Sequence, residues 1–339
     1  MAEKKIEPFN VFMIRIHAEL LYDISKSSTK SLKLCPSHFI TYSVELLLKT
    51  DYHIMLICIH LLICSMLTPI KEKVLNEGAE IYCERRGNGP ILLLIHGAME
   101  DAGYYSSAAD IFADKFTVVS YDRRCNSRSS GDRSIDMTVA QQARDAASII
   151  KAMGDGKAVV VGRSGGAIIG LELAATMPEV IDFLMVHEAP VIKMLPKGDA
   201  EKWRSFVDNI YIKSQREGSL AAQTEFMTSL INVPDSPFPT DLNGRLSGNI
   251  DFFFKHEFRA FFGYQPNIEK IRKNNVQMVT AIGRDSDNAY YVQTTRALAA
   301  KLGCENIEFP GHHDLSLWMP KEFANAVQKT LERYEYSRE

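Results

Sequence analysis

The run Gly162-Arg163-Ser164-Gly165-Gly166 constrains the fold of this chain more than any other stretch of its sequence. It follows the apolar residues 158–161, which have the length and β-branched content of a buried strand, and it opens an apolar segment of helical length. A direct passage from strand to helix puts Ser164 in a strained turn, and the positions two before and two after it come too close for a Cβ atom. The flanking glycines meet this demand, so the run predicts a strand, a sharp turn at Ser164 and a helix.

Beyond about residue 74, short β-branched runs alternate with longer stretches of helical period. This alternation predicts an α/β fold with a mostly parallel sheet and helices on both faces. The predicted strands are residues 81–84, 91–95, 117–120, 158–161, 181–186, 276–282 and 306–309. The predicted helices are residues 110–114, 138–153, 165–177, 290–302 and 321–334.

Residues 191–275 interrupt this rhythm, because they are aromatic, poor in strands and helix-like, with a loop signal at residues 234–237. We predict that they form a helical lid inserted into an α/β core made of residues 71–190 and 276–339.

Residues 1–70 look different from the rest and form an N-terminal extension without glycine. Within it, residues 52–70 approach the length of about 20 apolar residues that crosses a bilayer, although His53 and His60 interrupt the stretch. Three interpretations stay open: membrane association through residues 52–70, a helix that covers part of the core, and an extension with no packed role.

Composition narrows the choice of partners and compartment. The 339 residues carry a formal net charge of -3, which provides no positive field to attract nucleic acid, so a small-molecule substrate is the expected partner. The six cysteines include no CxxC pair, so neither a disulfide framework nor a zinc cluster is indicated. This cysteine pattern favours the cytoplasm, with anchoring at a membrane through the extension as the alternative. The oligomeric state stays open.

The predicted turn makes Ser164 the candidate nucleophile, because it lifts the hydroxyl clear of the sheet edge. The helix that begins there offers unpaired N–H groups to a developing oxyanion, and the first expected donor is the Gly165 N–H. The predicted strand at residues 91–95 ends in His96-Gly97-Ala98, whose loop supplies the second expected donor, the Ala98 N–H.

The candidate general base is His313, which follows the last predicted strand and precedes the last predicted helix. It is preferred over its neighbour His312 because it stands seven residues before Pro320. His96 is an alternative base, although a histidine directly after a buried strand more often organises its loop. The cluster at residues 312–314 lacks a second group of ligands at metal-binding spacing, so no metal is expected.

The acid that orients the base has three candidates. Asp285 and Asp287 follow the penultimate predicted strand, where the acid usually lies, but the commonest spacing falls on Ser286 between them. Glu188 follows the strand before the insertion and is the rival position. We rank Asp285 first, then Glu188, then Asp287; the alternative for each is a carboxylate that caps a helix or turn.

These motifs together resemble the α/β-hydrolase fold superfamily, of the AB hydrolase-1 type, over about residues 74–334. The matching motifs are His96-Gly97, Tyr121-Asp122-Arg123-Arg124, the run around Ser164, His187-Glu188 and Phe309-Pro310-Gly311-His312-His313.

The resemblance implies the α/β-hydrolase fold and a hydrolase, but no substrate. From the candidate catalytic residues we hypothesise that Ser164 attacks an ester-like carbonyl without a cofactor, and the aromatic insertion favours a small, apolar substrate. The alternatives are carbon–carbon bond hydrolysis, cofactor-free haloperoxidation, acyl transfer, or a ligand-binding receptor with slow turnover. Cys125 departs from the pattern, because relatives usually have glycine there and the turn there is expected to need a positive φ. Ala189 also departs from it, since relatives tend to have proline.

Overall fold

A single sheet organises the computed structural model, which describes residues 68–232 and 240–334. The proposed membrane-associated stretch at 52–70 therefore lies outside the described residues, apart from its last three positions, and so does the loop signal at 234–237. The strand order is β1-β2-β4-β3-β5-β6-β7-β8. The strands are β1 (Ile70–Asn76), β2 (Ala79–Arg86), β3 (Ile91–Ile95), β4 (Thr117–Tyr121), β5 (Ala158–Arg163), β6 (Ile181–His187), β7 (Met278–Gly283) and β8 (Glu305–Phe309).

The sheet is mostly parallel, as the sequence predicts. Strands β4, β3, β5, β6, β7 and β8 all pair in parallel, whereas β2 is antiparallel to both β1 and β4. All seven predicted strands are present. The sequence does not predict β1, because it lies at the edge of the sheet and buries only Val74 among polar and exposed neighbours.

Helices cover both faces of this sheet, which is why β3, β4 and β5 are buried along their whole length. The helices of the core are α1 (Ser106–Phe112), α2 (Val139–Met153), α3 (Gly165–Thr176), α9 (Tyr290–Leu302), α10 (Leu315–Trp318) and α11 (Pro320–Arg333). Side chains of α1 and α11 form the core on one face, and those of α2, α3 and α9 pack on the other.

Between β6 and β7 the chain leaves the sheet and forms a run of helices. They are α4 (Lys197–Glu217), α5 (Ser219–Met227), α6 (Thr240–Phe252), α7 (Phe258–Gly263) and α8 (Ile268–Asn274), with a π-helical turn, Phe253–Glu257, joining α6 to α7. The aromatic residues of these helices pack on one another. The ring centres of Phe226 and Phe258, for example, lie 5.8 Å apart, and the two rings are nearly perpendicular. We call this run of helices the insertion.

None of the helices within residues 68–232 and 240–334 combines the length and the hydropathy that crossing a bilayer requires.

Candidate active site

Ser164 lies in the strained turn that its neighbours predict. Its backbone is left-handed, with φ 54° and ψ -119°, a conformation that costs a non-glycine residue about 1–3 kcal/mol. A Cβ atom on Gly162 would lie 2.3 Å from the Gly166 carbonyl oxygen, and one on Gly166 would lie 2.0 Å from that of Ile95. The Ser164 N–H donates to the His187 carbonyl at 2.9 Å, which ties the turn to β6. The predicted steric demand for two glycines is therefore confirmed.

The two residues predicted to supply oxyanion donors line the same cavity as this serine. Gly165 is the first residue of α3, where an N–H has no carbonyl partner within the helix. Ala98 belongs to the loop after β3, and Ala98, Ser164 and Gly165 line one cavity. The loop comes close to the serine, since a Cβ atom on Gly97 would lie 3.2 Å from the Ser164 Cβ.

His313 and Glu188 form a buried pair beside the serine. The His313 Nδ1 lies 2.6 Å from the Glu188 Oε2, and the two side chains are only 4% and 0% exposed. The other oxygen of Glu188 accepts from the Gly283 N–H at 2.7 Å. His313 lines the same cavity as Ser164. The structure thus brings together a serine, a histidine and a carboxylate from the ends of β5, β8 and β6.

Glu188 is held as a carboxylate. Burial alone would raise its pKa, but attraction to His187 and the hydrogen bond from His313 outweigh that effect and lower the pKa to about 2. Burial lowers the pKa of His187 to about 4, so this ring is neutral at pH 7, and the remaining interaction with the Glu188 carboxylate is the hydrogen bond from His313. A carboxylate only accepts hydrogen bonds, so the Nδ1 of His313 carries a proton toward Glu188, and the Nε2 is the ring nitrogen that can accept a proton from the serine.

The structure does not bring Asp285 or Asp287 to the base. The Asp285 carboxylate is half exposed and lies 3.4 Å from the Arg284 Nε, while its backbone N–H donates to the Gly311 carbonyl. Asp287 is also exposed and accepts from the Asn232 Nδ2 at 3.3 Å. Glu188, which the sequence ranks second, is the carboxylate that contacts the histidine.

The other two candidate histidines are engaged elsewhere. His96 is fully buried; its Nδ1 lies 3.0 Å from the Gly97 carbonyl oxygen and its Nε2 accepts from the Arg123 N–H at 3.3 Å. Burial and the nearby Arg123 hold the pKa of His96 well below its usual value, so a neutral ring organises this loop. The Nδ1 of His312 accepts from the Asp314 N–H at 3.2 Å.

The cavity has a volume of about 240 Å³. Its wall is mostly apolar, with a few polar groups near Ser164, and half of the lining residues belong to the insertion. The apolar lining residues include Pro190, Phe226, Met227, Leu230, Leu246, Ile250, Phe253, Phe261, Phe262 and Tyr290.

A buried ionic cluster in the wall of the cavity was not predicted. Arg163 is held between Glu100 and Asp314, with its Nη1 2.7 Å from the Asp314 Oδ1, and its guanidinium lies 4.5 Å from the centre of the Tyr104 ring. Burial raises the pKa of Glu100, although Arg163 opposes that rise. The sequence signal was an arginine at the end of an otherwise apolar strand, which needs acidic partners. Within the described residues, no three His, Cys, Asp or Glu side chains are grouped to hold a metal ion.

Cys125 takes the conformation that glycine would take. Its φ is 63° and its N–H donates to the Ser130 carbonyl at 3.2 Å. The turn after Asp122-Arg123-Arg124 therefore has a positive φ in this chain even though the residue carries a side chain.

Comparison with known proteins identifies the family to which this fold belongs. The sequence model of the alpha/beta hydrolase fold family matches residues 90–275. The chain belongs to that family. Over 261 residues it is 30% identical to the uncharacterized hydrolase YraK of Bacillus subtilis, an alignment that covers 76% of this chain and 94% of YraK. The chain is thus a hydrolase of the α/β fold.

Solved structures of other α/β-hydrolases share the fold at lower identity. A thermophilic esterase from Thermogutta terrifontis is 17% identical with a TM-score of 0.62, covering 78% of this chain and 98% of the esterase. A bacterial membrane phospholipase A is 20% identical with a TM-score of 0.63, covering 89% of this chain and all of the phospholipase. At these identities, the likeness shows the fold alone.

Proposed function

We propose that this α/β-hydrolase cleaves an ester-like bond of a small, predominantly apolar substrate through the triad Ser164, His313 and Glu188. The observation that carries the proposal is the buried Glu188 carboxylate 2.6 Å from the Nδ1 of His313, which shares a cavity with a serine on a strained turn. A base that a carboxylate orients toward a nucleophile is the arrangement that acyl transfer requires.

The reaction has two halves. In the first, the His313 Nε2 takes the proton of the Ser164 hydroxyl while the oxygen attacks the ester carbonyl. The Ala98 and Gly165 N–H groups stabilise the oxyanion of the tetrahedral intermediate, and His313 returns the proton to the departing alcohol. In the second, His313 takes a proton from water while the water oxygen attacks the carbonyl of the acyl-serine. His313 then returns that proton to the Ser164 oxygen as the acyl–serine bond breaks and the carboxylic acid leaves. Glu188 stabilises the imidazolium in both halves, and the chemistry needs no cofactor.

Glu188 fits the role of the acid better than Asp285. A carboxylate that stabilises an imidazolium must be ionised, shielded from water and on the Nδ1 side of the ring. Glu188 meets all three conditions, whereas the Asp285 carboxylate is half exposed and faces Arg284. Ser286, at the usual acid position, is buried beside Glu188, so this chain takes its acid from the neighbouring strand end.

The shape and charge of the cavity support a small, neutral substrate. Its volume of about 240 Å³ suits a short acyl chain, and its aromatic and aliphatic wall favours apolar groups. Two carboxylates, Glu100 and Asp314, share the single guanidinium of Arg163, so this side of the cavity disfavours an added anion. We propose that residues 191–275 act as a lid, since residues between Gln223 and Phe262 supply half of the wall.

A series of neutral p-nitrophenyl esters, from acetate to laurate, tests this function. We expect kcat/KM to be highest for the short chains, because the cavity is small. Ser164→Ala should lower kcat by at least about 10⁴-fold, whereas Ser205→Ala, a change at an exposed serine of α4, should leave it unchanged. Unchanged hydrolysis by Ser164→Ala would contradict the nucleophile. Saturable ester binding without turnover would favour a receptor instead.

A further inference from the structure

The second residue of the Asp122-Arg123-Arg124 motif joins the insertion to the loop after β3. Arg123 follows β4, and its guanidinium makes a two-pronged ion pair with Glu257 of the π-helical turn, at 2.5 Å and 2.9 Å. Both side chains are 0% exposed. Neither lines the cavity, so neither is placed to contact a substrate.

The contribution of this ion pair to folding stability does not explain why two charged residues are buried here. Burying two charges costs several kcal/mol, on the order of what their attraction returns, and apolar residues of similar volume often serve as well. Arg123 has a further contact that apolar residues could not make: its Nη2 donates to the Gly97 carbonyl oxygen at 3.1 Å. The guanidinium therefore holds one specific peptide group of the loop, together with the His96 Nδ1, which lies 3.0 Å from the same carbonyl oxygen.

That peptide group also contains the Ala98 N–H. In a planar trans peptide the C=O and N–H bonds point in opposite directions, so fixing the Gly97 carbonyl fixes the direction of the Ala98 N–H. Gly97 packs directly against Ser164, and Ala98 lines the cavity. The carbonyl is held on the side of Arg123, and the N–H is left on the opposite side.

The insertion also contacts the rest of the proposed oxyanion site. The Asn249 Nδ2 of α6 donates to the Glu100 carbonyl at 3.0 Å, further along the same loop. Phe261 of α7 lies 5.2 Å from the Arg123 guanidinium and packs over Gly165, where a Cβ atom would lie 3.1 Å from its ring. The insertion thus packs directly on Gly165 and holds the Glu100 carbonyl, and it reaches the Gly97–Ala98 peptide group through the pair of Glu257 and Arg123.

We propose that Arg123, held by Glu257, is a positioning residue that sets the direction of the Ala98 N–H, so that the insertion completes the oxyanion hole. The inference rests on the proposed hydrolase function. It assigns the insertion a part in transition-state stabilisation in addition to its part in the cavity wall.

The test replaces both charges at once with Arg123→Met/Glu257→Met, which leaves no unpaired buried ion. We expect kcat to fall by about 10-fold to 100-fold with KM within about twofold, because only the transition state carries the oxyanion. Affinity for a trifluoromethyl ketone, which forms a tetrahedral adduct with the serine, should fall by the same factor as kcat/KM.

The matched control is Arg124→Met/Asp145→Leu. Arg124 makes the neighbouring two-pronged ion pair, but its remaining hydrogen bonds go to the carbonyls of Asn76 and Glu77. We expect this control to lower the melting temperature without changing kcat or trifluoromethyl ketone affinity. Wild-type kcat and inhibitor affinity in the Met/Met variant at positions 123 and 257 would overturn the inference.

Arg123→Lys decides the question if the double variant does not fold. Lysine keeps the charge opposite Glu257 but lacks the planar fork that reaches two acceptors at once. We expect a reduced kcat at near wild-type stability, and an unchanged kcat would overturn the inference. Absence of ester hydrolysis in the wild type would instead contradict the proposed function, which keeps the two failures distinguishable.

Discussion

The carboxylate that contacts His313 belongs to a residue far from the usual acid position in the sequence. In this chain Ser286 stands at the usual acid position after β7, and the carboxylate that contacts His313 comes from the end of β6. Strands β6, β7 and β8 are neighbours in the sheet, so an acid at either strand end can reach the histidine. The longer side chain of glutamate suits the larger distance from β6 to β8.

We predict that Glu188→Gln lowers kcat by about 10³-fold to 10⁴-fold, because glutamine cannot stabilise the imidazolium and favours the wrong tautomer. Asp285→Asn is the matched control, and its kcat should stay within about twofold of wild type because the carboxylate makes only an exposed ion pair. Steady-state kinetics on one short-chain ester compares the two variants. The opposite ranking would show that Asp285 is the acid.

The low pKa of Glu188 predicts a pH-dependent stability. A carboxylate whose pKa falls from 4.5 to about 2 on folding stabilises the protein above pH 4.5 and loses that contribution as the pH falls toward 2. The contribution is about 3 kcal/mol, of which about 2 kcal/mol is lost by pH 3. Urea unfolding of wild type and Glu188→Gln should therefore give a stability difference that shrinks between pH 7 and pH 3. A difference independent of pH would contradict the depressed pKa.

At the residue scale, the sequence predicted the strained turn at Ser164, because the features that form it are local. Ser164 could be recognised because its turn, glycines, strand and helix are contiguous in the chain. The placement of the acid depends on which strand ends meet, so sequence spacing alone ranked Asp285 above Glu188. The residues of the ion pair, Arg123 and Glu257, lie 134 positions apart, and no local sequence pattern indicates that they are in contact.

At the scale of elements, the strand–turn–helix unit of β5 and α3 is fixed by backbone contacts. A methyl group on Gly162 would meet the backbone of α3, which cannot move without breaking the turn. We predict that Gly162→Ala lowers the free energy of unfolding by more than about 2 kcal/mol and abolishes activity.

A glycine of the insertion should respond in the opposite way. Gly248 lies within α6, where a Cβ atom would meet nothing within 4 Å. Gly248→Ala should therefore raise the free energy of unfolding by about 0.5–1 kcal/mol through helix propensity. Urea denaturation measures both variants, and equal effects would contradict the steric account of the turn.

The elements themselves were largely predictable, because buried parallel strands have continuous apolar runs and the helices have a clear period. The edge strand β1 was missed for the opposite reason, since exposed polar residues interrupt its pattern. The helices of the insertion were recognisable as a group, but their contacts with the loop after β3 depend on tertiary packing.

At the scale of the whole molecule, residues 69–339 form one compact unit. The alignment with YraK spans 261 residues, a length close to that of this unit. We predict that a chain shortened to residues 69–339 keeps the kcat/KM of the full chain, because the proposed site lies entirely within it. A large loss of activity in a folded truncation would show that residues 1–68 contribute to the site.

The same truncation separates the interpretations of the N-terminal extension. Membrane association through residues 52–70 predicts that the full chain binds phospholipid vesicles and that the truncation does not. Equal sedimentation of both chains with vesicles would contradict it.

Labelling with a fluorophosphonate tests most directly whether Ser164 is a nucleophile activated by His313 and Glu188. We expect prompt labelling, a mass increase confined to the peptide that contains Ser164, no labelling of Ser164→Ala and slow labelling of His313→Ala. Folded wild-type protein that stays unlabelled, or a Ser164→Ala variant that still labels, would contradict this role of Ser164.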